Sequence, residues 1–142
     1  MTQQSLNQNP LNQTPVTQNP APTDQAHLKA SLATFTGTEH WYRHSLVPIV
    51  LTTDGVQYLA GAADAHWLVD AIVLAQLAEQ VVKATPFQVW KLSVSADRSA
   101  TLTCTDGDYN EIWQQNIDVT DFPLDEIELW FTNDTLYLPS EH

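Results

Sequence analysis

The stretch FQVWKLSVSADRSATLTCT, residues 87–105, decides the fold. Its apolar residues recur at every second position: Trp90, Leu92 and Val94, then Leu102 and Cys104. A period of two is typical of a strand with one buried face. The segment between the two runs, residues 95–99, is short and polar. The stretch therefore predicts a β-hairpin.

Further strands are predicted downstream, at residues 111–119, 126–131 and 136–138, with Asp106-Gly107 and Asn133-Asp134 as turns. Upstream, residues 65–83 carry apolar side chains at helical spacing, which predicts one long helix that ends at Thr85-Pro86. A helix followed by sequential strands indicates an α+β fold. We expect an antiparallel four- to five-stranded meander packed against the long helix.

The first 26 residues have a different composition from the rest. They contain three successive five-residue units, LNQNP, LNQTP and VTQNP, and no aromatic residue precedes Phe35. Ordering a backbone residue costs about 1–2 kcal/mol, which so polar a segment cannot offset by burying apolar area. We predict a disordered tail at residues 1–26 and a single domain at residues 27–142.

Negative charge is concentrated at the C-terminal end. The chain carries a net charge of −12, and residues 97–142 hold eleven acids against Arg98 alone, a net −10. Such a field favours basic protein surfaces and opposes nucleic acid and anionic membranes. We therefore predict an acidic binding surface whose members are Asp106, Asp108, Glu111, Asp118, Asp121, Asp125, Glu126, Glu128 and Asp134. Trp113, Trp130 and Tyr137 are the candidate aromatic contacts.

Several classes of protein have no support in the sequence. Five basic residues cannot supply the cationic stripe of a nucleic-acid-binding protein, and the four glycines form no phosphate-binding loop. No apolar run is long enough to cross a bilayer, no signal peptide is recognisable, and the lone Cys104 allows no internal disulfide. We expect a soluble cytoplasmic protein without a cofactor.

His40 and His44 form the one spacing that suggests a metal. On a helix, residues four apart place two imidazoles on one side, as a zinc pair requires. Glu39 precedes the pair, however, whereas the metalloprotease motif has its Glu between the histidines. We predict no metal site and keep a small metal-dependent or His/carboxylate enzyme that uses Glu39, His40 and His44 as an alternative.

Several segments together resemble a family of small uncharacterised bacterial proteins, a domain of unknown function that is also found in plasmids and phage. They are FTGTEHWYRH (35–44), TDGVQYLA (53–60), HWLVDAI (66–72), FQVWKL (87–92), LTCTDGD (102–108), TDFPLDEIELW (120–130) and LYLPSEH (136–142). The resemblance covers residues 35–142 and brings no active-site residues. It implies a setting among accessory genes of mobile elements.

These observations favour a non-enzymatic acidic protein-binding module over an enzyme. Its partner would be a basic protein surface, such as that of a nucleic-acid-binding host or defence protein, which the module would inhibit by imitating phosphate charge. A third alternative is an oligomerising module, in which an edge strand near residues 46–52 or 136–138 pairs with a second copy to form a homodimer.

Overall fold

A computed structural model describes residues 22–142 of the chain. The predicted tail therefore lies outside the described residues, except for residues 22–26. These five form the start of helix α1 (Pro22–Ala33) instead of a disordered segment. Proline is compatible with the first turn of a helix because the N–H that it lacks has no partner there. Leu28 and Leu32, one helical turn apart, bury the inner side of α1.

In the described residues one sheet contains seven strands. They are β1 (Trp41–Arg43), β2 (Leu51–Thr53), β3 (Phe87–Val94), β4 (Ala100–Thr105), β5 (Glu111–Ile117), β6 (Glu126–Thr132) and β7 (Thr135–Tyr137). Their order across the sheet is β1-β2-β7-β6-β3-β4-β5. β2 and β7 are parallel and all other neighbours are antiparallel, so the sheet is mixed.

Three more helices follow β2 in the chain: α2 (Asp54–Ala62), α3 (His66–Ala78) and α4 (Gln80–Lys83). A 3-10 turn at Pro139–Glu141 follows β7. The predicted α+β class is confirmed. Across residues 22–142, none of the helices combines the length and the apolar character needed to span a bilayer.

The predicted meander is correct for β3, β4 and β5 and wrong for β6. That strand pairs with the far side of β3 and not with β5. The connecting segment passes the β3–β4 turn, where Thr120 N donates to Arg98 O at 2.8 Å and Val94 N donates to Asp125 O at 2.7 Å. It also buries Phe122 in the core. The alternation of apolar and polar residues in β6 gives no indication of these non-local contacts.

The predicted long helix is interrupted at Glu79, whose backbone is extended (φ −113°, ψ 110°). Gln76 and Val82 are both buried. In an unbroken helix these two residues would lie about 120° apart around the axis, on different sides. The break turns α4 relative to α3 so that both side chains pack inward.

The two segments proposed as edge strands lie inside the sheet. Within residues 46–52, only the end becomes part of a strand, β2, which lies between β1 and β7. β7 lies between β2 and β6. In the described part of the chain the edges of the sheet are β1 and β5, so the prediction that either segment is an edge strand is wrong.

Alternation along the strands gives the sheet two different faces. Trp90 and Leu92 of β3, Leu102 of β4 and Leu129 of β6 are fully buried and form the core beneath the helices. Their chain neighbours point to the other side, which we call the open face: Phe87, Val89, Lys91, Thr101, Thr103, Thr105, Glu126, Glu128 and Trp130. These residues are half-buried or exposed.

A buried amide pair joins the sheet to the helices. Gln88 of β3 is 1% exposed, and it exchanges hydrogen bonds of 2.7 and 3.0 Å with Gln76 of α3. Its Nε2 also donates to the carbonyl oxygens of Val82 and Thr85, and its Oε1 accepts from Trp90 Nε1 at 2.9 Å. Every polar atom of this side chain is therefore satisfied without water.

We expect Gln88→Leu to lower the free energy of unfolding by about 3 kcal/mol, because it removes the hydrogen-bond partner of Gln76 Oε1, of Trp90 Nε1 and of the Thr85 carbonyl group in the core. Gln115→Leu makes the same change on an exposed position of β5 and should cost less than about 0.5 kcal/mol. Urea denaturation measures both values. Equal stability of the two variants would show that the amide pair contributes nothing.

Candidate functional site

A groove of about 410 Å³ lies on the open face. The alternation of β3, β4 and β6 directs side chains of three neighbouring strands into it, and the β4–β5 turn forms one of its walls. The residues that line it are Phe87, Val89, Lys91, Thr103, Thr105, Gly107, Tyr109, Glu128 and Trp130. The combination of apolar rings, hydroxyl groups and a carboxylate is typical of a binding site.

Aromatic rings form one wall of the groove. Trp130 contacts Phe87 edge-on, with the ring centroids 5.4 Å apart, and contacts His142 edge-on at 5.3 Å. His142 also stacks on Tyr137 at 6.0 Å. Such edge-on and stacked pairs hold the indole in one orientation while leaving part of it accessible. Trp130 is therefore a preorganised surface for a ligand.

The opposite wall is an exposed tyrosine on an ordered turn. Tyr109 is 95% exposed and its backbone is left-handed (φ 68°). Asp106 organises the turn: its carboxylate accepts from the backbone N–H groups of Asp108 and Asn110 and from the Asn110 side chain. Led by the Asn110 side chain, these hydrogen bonds lower the pKa of Asp106. The turn thus presents a large apolar ring to solvent.

Gly107 brings this turn close to the aromatic wall. Its φ is +90°, and a Cβ atom at this position would lie 2.8 Å from Phe87 Cδ2. Both the backbone conformation and the lack of space require glycine here. The turn therefore lies directly against Phe87, and Tyr109 projects beside the groove.

The charges in and beside the groove are mostly negative. Glu128 Oε2 accepts from Trp130 Nε1 at 2.8 Å, which fixes the carboxylate next to the indole. Lys91 is the one basic residue among the described residues that line the groove, and its Nζ lies 3.6 Å from Glu126 Oε2. Since the Lys91 charge is offset by Glu126, the remaining carboxylates give the groove a negative potential.

The nine predicted acids occupy three regions instead of one surface. Glu126 and Glu128 lie on the open face, and Asp106, Asp108 and Glu111 lie in or beside the β4–β5 turn that borders the groove. Asp118, Asp121 and Asp125 lie in the β5–β6 connection at the other end of the strands. Asp134 lies in the β6–β7 turn, where its carbonyl oxygen accepts from Leu51 N. Of the nine, Glu128 lines the groove and three more lie in or beside the turn that borders it.

The three predicted aromatic contacts are also separated. Trp130 lines the groove. Trp113 lies opposite Cys104 on the helix-covered side of the sheet and packs 5.4 Å from Trp90, so it shares no surface with Trp130. Tyr137 is on the open face but only 8% exposed, and this burial raises its pKa. Trp130 is therefore the one of these three that is partly exposed on the open face.

The histidine pair is not a helical pair. His40 and His44 flank strand β1, which separates them by about 13 Å at the usual rise per residue. His40 Nδ1 lies 3.6 Å from Asp54, whereas His44 Nε2 lies 2.7 Å from Asp70. Among residues 22–142 no group of three or more His, Cys, Asp or Glu side chains has the arrangement of a metal site.

His44 is a buried residue whose hydrogen bonds stabilise the fold. It is 7% exposed, and its Nδ1 accepts from the backbone N–H groups of Leu46 and Val47 at 3.1 and 3.2 Å. Because Nδ1 is an acceptor, the ring proton is on Nε2 and is donated to Asp70. His44 thereby ties the loop after β1 to helix α3, and both of its ring nitrogens are occupied.

Sequence analysis missed the groove because it followed the buried side of β3. Trp90, Leu92 and Val94 define the pattern, which assigns Gln88, Lys91 and Ser93 to the solvent side, whereas Gln88 is buried and Val89 lies on the open face. The same alternation gives no reason to single out Phe87 at the start of the strand. A usable signal was present: an aromatic residue, Tyr109, directly follows the Asp-Gly-Asp turn, where side chains are exposed.

Comparison with known proteins identifies a family. The model of a family described as "Family of unknown function (DUF6876)" matches residues 26–142. This confirms the predicted resemblance to a domain of unknown function. No curated protein and no solved structure matches the chain.

Cys104 should be inert in the folded protein. It is fully buried in β4, and burial raises the pKa of its thiol to about 12. At about pH 8 we expect no reaction with a thiol reagent until urea unfolds the chain, when one equivalent reacts. Rapid stoichiometric labelling without denaturant would contradict this burial.

His44→Ala should lower the free energy of unfolding by about 2 kcal/mol, because two buried N–H groups lose their acceptor. His40→Ala is the matched control, with a side chain 69% exposed, and should change stability by less than about 0.5 kcal/mol. Thermal and urea denaturation measure both. A His44→Ala variant as stable as the parent would remove the structural role and return His44 to the list of functional candidates.

Proposed function

This chain belongs to DUF6876, a family of unknown function, and we propose that it is a non-enzymatic module that binds a basic protein surface through the groove on its open face. The observation that carries the proposal is the groove itself, which is lined by the aromatic rings of Tyr109 and Trp130 and by the carboxylate of Glu128, with Glu126 further along the same face of β6. Exposed rings next to carboxylates are the usual receptor for Arg and Lys side chains.

The charge distribution favours a protein partner. A net charge of −12 repels polyanions at a distance and attracts cationic surfaces. Aromatic residues are enriched among the anchors of protein interfaces. Tyr109 stays exposed in a turn held by Asp106, so little entropy is lost when a partner packs on it.

The proposal extends to imitation of nucleic acid. Glu126 and Glu128 occur at i and i+2 on one side of β6, about 6–7 Å apart, which is similar to the spacing of successive phosphates on one strand. A module of this kind would inhibit a nucleic-acid-binding host or defence protein by occupying its basic surface. The bacterial mobile-element setting that the resemblance implies belongs to this proposal.

The test is affinity purification from a lysate of the source organism with the parent and four variants as baits. Tyr109→Ala removes the exposed ring, and Val119→Ala is its control, an exposed apolar residue in the β5–β6 connection. The double variant Glu126→Gln/Glu128→Gln removes two charges from the open face, and Asp121→Asn/Asp125→Asn removes two exposed charges from the β5–β6 connection. Proteins that the parent captures are identified by mass spectrometry and titrated as purified proteins.

We expect the two groove variants to weaken binding of a captured basic protein about tenfold or more, and the two controls to bind like the parent. Binding should weaken steeply with salt, and DNA or RNA should compete for the partner. If the two double variants lose the same amount of affinity for the captured protein, the effect of charge is not specific to the open face. Binding that is insensitive to all four changes would overturn the proposal.

A further inference from the structure

Strand β5 is a long edge of the sheet, with helix α4 near it and its central residues exposed. Within residues 22–142 its one partner is β4, and its seven residues exceed the three of β1 at the other edge. Proteins commonly block such edges with proline, lysine or a covering segment, because free backbone groups can pair with another chain. β5 contains neither proline nor lysine, and Gln114, Gln115 and Asn116 are exposed.

The hydrogen bonds at one end of the sheet establish which backbone groups of β3 face which neighbour. Val94 N donates to Asp125 O, on the side of β6, and Ser95 N donates to Ser99 O, on the side of β4. In an antiparallel sheet the N–H and C=O of one residue point to the same neighbour, and successive residues alternate. The even-numbered residues of β3 therefore bond to β6 and the odd-numbered residues bond to β4.

The same alternation continues across the sheet. The odd-numbered residues of β4 bond to β3, so its even-numbered residues bond to β5, opposite Ile117, Gln115 and Trp113. The residues between these three, Gln114 and Asn116, direct their N–H and C=O groups away from β4. Two complete pairs of backbone donors and acceptors thus face outward at the centre of the edge.

Charge selects the kind of chain that would pair there. Glu111 begins β5 and Asp118 directly follows it. Two copies paired antiparallel about the middle of β5 would bring Glu111 of each copy beside Asp118 of the other, which is repulsive at both ends. An extended segment with Lys or Arg at its ends would instead meet a carboxylate at each end.

We propose that the partner of this module adds an extended basic segment to β5 as an eighth strand. This inference rests on the proposed function and specifies how the partner is recognised. Side chains of the added strand that point to the open face would lie beside Gln114 and Asn116, one strand from the Thr103 and Thr105 wall of the groove. Backbone pairing would supply affinity and register, and the groove would select side chains.

The probe is a short fluorescent peptide of alternating Lys and Val, compared with a twin of the same sequence that is N-methylated on alternate residues. The twin keeps the charge but cannot pair along one edge. We expect the unmodified peptide to bind at least about tenfold more tightly than the twin. Hydrogen exchange should slow at the Gln114 and Asn116 amides when the unmodified peptide binds.

Asn116→Pro tests the edge from the protein side. Proline is tolerated where an edge N–H faces solvent, so the ladder with β4 should persist and the melting temperature should stay near that of the parent. Asn116→Ala is the control, since it removes the same 3.4 Å side-chain contact with Thr101 and keeps the N–H. The proline variant should bind the peptide about tenfold more weakly than the parent, and the alanine variant should bind it as tightly as the parent.

Three results would overturn the inference: equal binding of the two peptides, undiminished binding to a folded Asn116→Pro variant, or a concentration-dependent dimer of the chain paired through β5. The peptide pair gives an answer even where the proline variant unfolds. These failures differ from a failure of the proposed function, because the groove variants can still lose a captured partner while the peptide pair shows no difference.

Discussion

The buried amide of Gln88 is the interaction on which the rest of the structure depends. It bonds to Gln76 of α3, to carbonyl groups of the segment after α3 and to Trp90. The side of β3 that carries Gln88 must therefore face the helices, because the opposite side has no amide side chain that could make these hydrogen bonds. A slip of one residue would move Lys91 into the core and Trp90 onto the open face. The groove forms because the amide hydrogen bonds exclude this shifted register and keep Val89 and Lys91 on the open face.

The charge of the chain has two separate uses. Asp54, Asp97 and Asp106 accept backbone and side-chain hydrogen bonds at turns and helix starts, with lowered pKa values for that reason. Glu141 likewise accepts from Thr53 Oγ1 and Gly55 N at the start of α2. These carboxylates organise the fold. On the open face, Glu126 pairs with Lys91 and Glu128 accepts from Trp130 Nε1.

The basic residue of the acidic stretch also has a structural use. Arg98 donates from Nε and Nη2 to the carbonyl oxygens of Thr120 and Phe122. Its guanidinium holds the β5–β6 connection against the β3–β4 turn, which is what sends β6 to the far side of β3. Together with the backbone hydrogen bonds at Thr120 and Asp125, Arg98 therefore helps to direct β6 away from a simple meander.

The sequence by itself determined the α+β class, the β3–β4–β5 hairpins, the burial of Cys104 and the excess of negative charge. These follow from periodicity, turn residues and composition, which are local properties of the chain. Only the tertiary structure decided that β6 pairs with β3, that the long helix breaks at Glu79, and that Tyr109, Phe87 and Trp130 share one groove. Each of these depends on contacts between residues far apart in the sequence, such as Gln76 with Gln88. No local pattern in the sequence indicates which distant residues will make such contacts or how strongly these contacts stabilise the fold.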